Sequence, residues 1–237
     1  MKILKFFIAL FLLPFLTASC VFGHYLVFQA YVNWSWAQAS WFLGGFLLWV
    51  IYFFFLPRPN WLYVFGHECT HALAVVMSGG KIDDFKVTSR GGQVVCNKMS
   101  AWIALSPYLV PLYPLIIGLI WGVLLVFLPK LSEFQNIFLF TWGLTWSFHV
   151  TFTLYVMGRV QTDFSSQGYI FSFVVIALVN LWMVLILAWW WLQPFGLKEG
   201  AGQFLDMLMN HYGFVWDGMM DLMKNLLKRI ATAHEIS

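Results

Sequence analysis

The run Trp61-Leu62-Tyr63-Val64-Phe65-Gly66-His67-Glu68-Cys69-Thr70-His71-Ala72-Leu73-Ala74-Val75-Val76-Met77 decides how this chain is read. It is apolar enough to belong in a membrane, yet it carries two imidazoles and a carboxylate within five positions. Apolar runs of this kind recur along the 237 residues, at about 3–28, 36–56, 61–77, 101–128, 134–157 and 169–192. Runs of about 18 or more such residues mark membrane-crossing helices. Composition agrees. The chain is 61% hydrophobic and 10% charged, with 25 Phe and 14 Trp, where a soluble domain is about 45–50% apolar and about 25% charged. That much apolar surface does not stay in water. Disorder, a secreted disulfide scaffold and a nucleic-acid binder are excluded. The three cysteines, Cys20, Cys69 and Cys96, are odd in number and form no CxxC, so neither a disulfide framework nor a thiolate zinc site is indicated.

The expected fold is therefore an all-α polytopic membrane protein with about six transmembrane helices. Residues 1–56 hold the first two. Lys2, Lys5 and the run up to Cys20 look like a secretory signal, but the apolar stretch continues past Cys20, which favours an uncleaved first span. Pro57-Arg58-Pro59-Asn60 breaks the chain, and residues 57–192 form the core with four more spans. After Ser78-Gly79-Gly80, residues 81–98 read as a β-hairpin, with Ile82, Phe85, Val87, Val94 and Val95 in its strands and Arg90-Gly91-Gly92 in its turn. Residues 193–237 differ in kind. Leu205, Leu208, Tyr212, Val215, Met219, Leu222, Leu226 and Ile230 recur at three- and four-residue spacing opposite Asp206, Asn210, Asp217, Asp221, Lys224 and Lys228, which predicts an amphipathic helix at the membrane surface. Lys224, Lys228 and Arg229 suit the negative end of its dipole.

The chemistry lies in His67-Glu68-Cys69-Thr70-His71, an H-E-x-x-H. Residues four apart stand one above the other on a helix, so the two imidazoles can share one zinc ion. Glu68, next to His67, is the natural base for a water that such an ion activates. Together these groups specify metal-assisted amide hydrolysis. The plain alternative is a pair of core histidines with a hydrogen-bonded glutamate, but ionisable groups inside a span are costly and tend to mark function. Cys69 falls on another face and reads as inert.

The stretch Phe65-Gly66-His67-Glu68-Cys69-Thr70-His71-Ala72-Leu73-Ala74, followed by Ser78-Gly79-Gly80-Lys81 and a hairpin, resembles the site-2 protease family of intramembrane zinc metalloproteases. The resemblance covers residues 61 to 171. Thr70 stands where that family often has Gly, and Leu105-Ser106-Pro107-Tyr108 stands where its next span carries Gly-Pro. The resemblance implies a zinc endopeptidase with Glu68 as general base, His67 and His71 as ligands, and an aspartate from a later span as the third. Asp163 is the candidate, although neither the Asn-Pro part of the family motif nor the Gly after its Asp is present. His149 is the rival. It lies about eight residues from the end of its run, as His71 does, so both sit about 12 Å from one face. Tyr108 is a further candidate, for holding the oxyanion.

The expected cofactor is one zinc ion. The expected partners are a membrane-protein substrate, whose contact residues the sequence does not identify, and the lipid bilayer, with a regulatory partner left open and no nucleic acid. The expected location is a multi-pass position in a bacterial cell membrane. A hydrolase of a lipid or other small substrate, and a non-catalytic metal-binding membrane protein, are the alternatives. With six alternating crossings, Lys2, Lys5, Arg58, Lys130, Lys198, Lys224, Lys228 and Arg229 share one face. Lys81, Lys86, Arg90, Lys98 and Arg159 share the other. The positive-inside rule then places the hairpin outside, whereas the family usually turns this face to the cytosol; cleavage of the first span, or a re-entrant segment near Pro57–Pro59, would change the parity.

Overall fold

The computed structural model describes residues 2–31, 36–88, 91–159, 162–192 and 195–235. The chain is mostly helical with one two-stranded antiparallel sheet. In order, the elements are α1 (Lys2–Tyr31), α2 (Trp36–Phe55), α3 (Asn60–Met77), β1 (Ile82–Thr88), β2 (Gly91–Cys96), α4 (Ala101–Leu109), α5 (Leu112–Phe127), a 3-10 turn (Pro129–Phe134), α6 (Gln135–Met157), α7 (Thr162–Gln167), α8 (Tyr169–Leu192) and α9 (Leu197–Glu235). They divide into two compact units: Ser35–Ile176 is one, and Met1–Trp34 with Ala177–Ser237 is the other, so the division falls inside α8.

The candidate site lies in the unit Ser35–Ile176, which is organised around α2 and α6. A Cβ at Gly45 would stand 1.8 Å from the Phe140 carbonyl oxygen, and one at Gly143 would stand 2.0 Å from that of Phe42. Only glycine lets the two backbones come this close, as small residues do between membrane helices. Phe42 meets Trp142 at 6.0 Å, the Trp49 indole donates to the Thr151 hydroxyl at 2.9 Å, and Phe53 meets Phe152 at 5.3 Å. The numbers rise together along both helices, so α2 and α6 run parallel. A second and a fifth alternating crossing would run antiparallel. Among the described residues, three helices are long and apolar enough to cross a membrane, or up to five if each of two bent pairs counts as one span, where six were expected.

The bends have local causes. Between α2 and α3 the chain turns by 116° at Pro57-Arg58-Pro59, where the prolines cannot continue a helix. Arg58 Nε donates to the Phe53 carbonyl at 3.2 Å and the Tyr52 hydroxyl donates to the Pro57 carbonyl at 3.0 Å, so the broken end is tied down. Between α4 and α5 the chain turns by 67°. There Val110, held extended before Pro111, follows the restriction on residues preceding proline. Because α2 ends where α6 ends, the chain between them passes once, net, from one end of the pair to the other.

The expected hairpin forms, but Gly91 and Gly92, read as part of its turn, belong to β2 and pair with Thr88 and Val87. Phe85 pairs with Val94, with an irregularity between Ile82 and Asp84. Ser89 and Arg90 lie outside the described residues. Gly79 adopts φ +67° just after α3, a conformation that glycine tolerates, and Lys98 Nζ donates to the Ser78 carbonyl at 2.7 Å. These two features turn the chain back so that both strands pack on α3.

In the other unit, α9 lies antiparallel to α1. Phe204 meets Phe22 at 5.4 Å and Tyr212 meets Phe11 at 5.2 Å, with the Tyr212 hydroxyl donating to the Phe11 carbonyl at 2.7 Å. The amphipathic helix thus has a packed edge. Leu205, Met219, Leu222 and Leu226 from its expected apolar face remain exposed. The side chains of Arg229 and Ile230 lie outside the described residues.

Candidate metal centre

The site is built on the middle of α3. His67 Nε2 and His71 Nε2 stand 3.2 Å apart, as two imidazoles one helical turn apart do when both point the same way. Asp163, in the first turn of α7, brings Oδ2 to 3.5 Å from the first and 3.7 Å from the second. Tetrahedral zinc at 2.0–2.1 Å from nitrogen and oxygen holds its ligand atoms about 3.3 Å from one another. The three measured separations lie within about 0.4 Å of that value. His67, His71 and Asp163 are thus a group that could hold a metal ion.

Each ligand is aimed by a partner. His71 Nδ1 lies 2.7 Å from the Ile103 carbonyl oxygen, which accepts its proton and leaves Nε2 for the metal. His67 Nδ1 lies 3.1 Å from the Tyr63 hydroxyl, which can accept its proton when Nε2 binds a metal. The Tyr108 hydroxyl donates to Asp163 Oδ2 at 2.8 Å. Such outer partners fix the orientation of metal ligands. Tyr108, the candidate for holding the oxyanion, is thus also placed to orient Asp163. Burial alone would raise the Asp163 carboxyl, but the two imidazoles hold it well below the usual carboxylate range.

Comparison with known proteins finds no matching family model, curated protein or solved structure. The site must be read from its own residues. His149 is not a member of the metal-competent group. It is buried on α6 with its ring 6.3 Å from that of Trp146. It lines a cavity of about 20 Å3 with Tyr63 and His67, large enough for about one water. Cys69 also stands outside the group. Thr70, at the position where the resembled family often has Gly, is buried and donates to the Gly66 carbonyl at 2.7 Å, so its hydroxyl is satisfied within α3.

Glu68 is buried at 7% exposure and reaches two cavities of about 330 Å3 each. One is lined by His67, His71, Asp163 and the β2 residues Gly92, Gln93 and Val94. The other is lined by His67, Tyr63, Gly92, Tyr155 and Arg159. Gly92 belongs to both because β2 crosses directly over Glu68. A Cβ at Gly92 would lie 2.4 Å from Glu68 Cγ. Sequence reasoning missed Gly92, Tyr63 and the aiming role of Tyr108. Tyr63 had a signal, since it stands one helical turn before His67. Gly92 had none beyond being a glycine in a turn.

Proposed function

We propose that this protein is an intramembrane zinc metalloendopeptidase of the site-2 protease kind, with His67, His71 and Asp163 as ligands and Glu68 as general base. The observation that carries the reading is the triangle of three ligand atoms, close enough together to share one metal ion, at the edge of a cavity that Glu68 also lines. When bound, the ion supplies Lewis acidity and lowers the pKa of a water to about 7. Glu68 takes the proton of the attacking water and returns it to the leaving amine. A helical substrate hides its amides in its own hydrogen bonds, so it must be drawn out before water attacks. β2 lines the metal cavity and belongs to a two-stranded sheet. It would take the substrate as an added strand.

The membrane arrangement in this reading is five crossings rather than six, with the α2–α3 and α4–α5 pairs each counted once. The α3 segment then dips in and returns on the side where α2 and α6 end. Arg58 and Arg159, both within 4.5 Å of the Tyr155 ring centroid, support this arrangement by lying at adjoining helix ends. In this unit Arg58, Lys81, Lys86, Lys98 and Arg159 fall on the hairpin side, and Lys130 falls on the other. The positive-inside rule now turns the hairpin toward the cytosol. The bilayer would be a bacterial cell membrane.

The decisive experiment measures zinc content and cleavage of a tagged membrane-helix substrate by wild type and Glu68→Gln. Zinc retained with cleavage lost is the expected result. A wild type that binds no zinc, or a variant that cleaves undiminished, defeats the reading.

A further inference from the structure

The second cavity beside Glu68 is also lined by Arg159, and Arg58 stands against the same Tyr155 ring outside it. The Arg159 guanidinium stands 4.2 Å from the Tyr155 ring centroid and donates to the Tyr155 hydroxyl. The Arg58 guanidinium stands 4.5 Å from the same centroid and 4.4 Å from that of Phe53. Among the described residues the ion pairs are those of Asp163 with the two histidines, Lys86 with Asp84 and Lys224 with Asp221. Among the described residues neither arginine is in an ion pair, and the acid lining the cavity with Arg159 is Glu68, the proposed base. Two guanidiniums against one aromatic ring make a local positive site. Arginine is the side chain best suited to gripping a carboxylate in a fixed geometry.

We propose that Arg159, supported by Arg58, is a specificity subsite for a carboxylate on the peptide being cut. The proposal rests on the protease reading and adds a substrate class to it. The cavity joins the two places. His67 and Glu68 line it at one end and Arg159 at the other. Its wall is a run of rings: the Tyr63 hydroxyl lies 3.1 Å from His67 Nδ1, Tyr63 stacks on Phe152 at 4.5 Å, and Phe152 meets Tyr155 at 6.5 Å. An extended peptide advances about 3.3 Å per residue. Ring by ring, the wall from His67 to Arg159 sets an upper bound on that reach, so the acidic residue sits within about six residues of the bond to be cut. A lipid headgroup phosphate shares the anionic chemistry, but a headgroup has no need of a cavity that runs on to the general base. The occupant that fits both ends is the substrate chain.

The test uses the full chain in phosphatidylcholine nanodiscs. The probes are fluorescent peptides ending in a hydroxamate, at the C-terminus in one series and as an N-terminal succinyl hydroxamate in the other. Glu or Gln is walked through successive positions, and each peptide has a twin without the hydroxamate. One Glu position should bind about tenfold more tightly than its Gln counterpart, the size expected of a charge-assisted contact. Arg159→Gln should erase that difference while the Gln peptides bind as before, and Arg159→Lys should keep part of it. No preferred Glu position, or a preference that survives Arg159→Gln, overturns the proposal. Loss of the preference when phosphatidylglycerol is added to the nanodiscs also overturns it and assigns the site to a headgroup. The metal reading is scored separately. If the hydroxamate adds nothing to the affinity of zinc-loaded protein, that reading fails, while the plain peptides still report on Arg159.

Discussion

Replacing Gly92 by alanine tests whether β2 holds the general base in place. The added methyl carbon would lie 2.4 Å from Glu68 Cγ and 2.8 Å from both its Cδ and Oε1. Carbon atoms in good contact stand about 3.5–4.0 Å apart. Either Glu68 retreats by about 1 Å or the strand lifts by as much. The ligand atoms on His67, His71 and Asp163 are not among the three nearest neighbours of that methyl, so zinc content should hold at the wild-type level. Turnover should not. A misplacement of about 1 Å costs on the order of 100-fold, which is about 2.7 kcal/mol of barrier. The assay compares cleavage of a fluorescent membrane-helix substrate in detergent with zinc measured on the same preparation. Gly122→Ala is the control, because a Cβ there meets nothing within 4 Å. Gly92→Ala turning over at the wild-type rate would refute the reasoning, as would zinc lost in step with activity.

Three further outcomes follow from the same geometry. Tyr108→Phe removes the hydrogen bond that aims Asp163 and should weaken zinc binding roughly 10- to 100-fold, read by competition with a chelator; unchanged affinity would show that the hydroxyl aims nothing. Asp163→Asn should lose far more zinc affinity than His149→Gln, since His149 stands outside the ligand group, and the reverse order would restore His149 as the third ligand. A cysteine introduced by Lys86→Cys on the hairpin should react with a membrane-impermeant thiol reagent only from the cytosolic side; labelling from the outside of intact cells would overturn the five-crossing arrangement.

The metal group was legible because helical geometry is local. His67 and His71 are fixed relative to each other by the pitch of α3 whatever surrounds it, and Glu68 comes with them. Asp163 was harder to place. It is 92 positions along the chain from His71, and only its chemical type and the resembled family pointed to it. What brings it in is the turn after α6 and the short helix α7, whose first turn carries the carboxylate to within 3.7 Å of both imidazoles. The aiming partners divide the same way. Tyr63 lies one turn from its histidine in the same helix. Tyr108, on α4, reaches Asp163 across 55 positions, and no local pattern announces that.

The direction of the helices was the least legible feature, and it carries the largest consequence. Hydropathy counts apolar runs and assumes that each one crosses. It does not register that a run of 17 residues, 61–77, can enter at a 116° bend and turn back. The residues that settle the matter are undistinguished in sequence. Gly45 and Gly143 let α2 and α6 touch at the backbone, and the paired contacts of Phe42, Trp49 and Phe53 show the two helices running the same way. Once they are parallel, α3 cannot be a full crossing of its own in an alternating series. Arg58 then joins Arg159 at one end of the unit instead of standing across the bilayer from it. In the proposed five-crossing arrangement the charge asymmetry that argued for an external hairpin reverses. The same bend brings Arg58 to the Tyr155 ring that Arg159 also meets. The proposed topology and the proposed subsite thus share one cause, the break at Pro57-Arg58-Pro59.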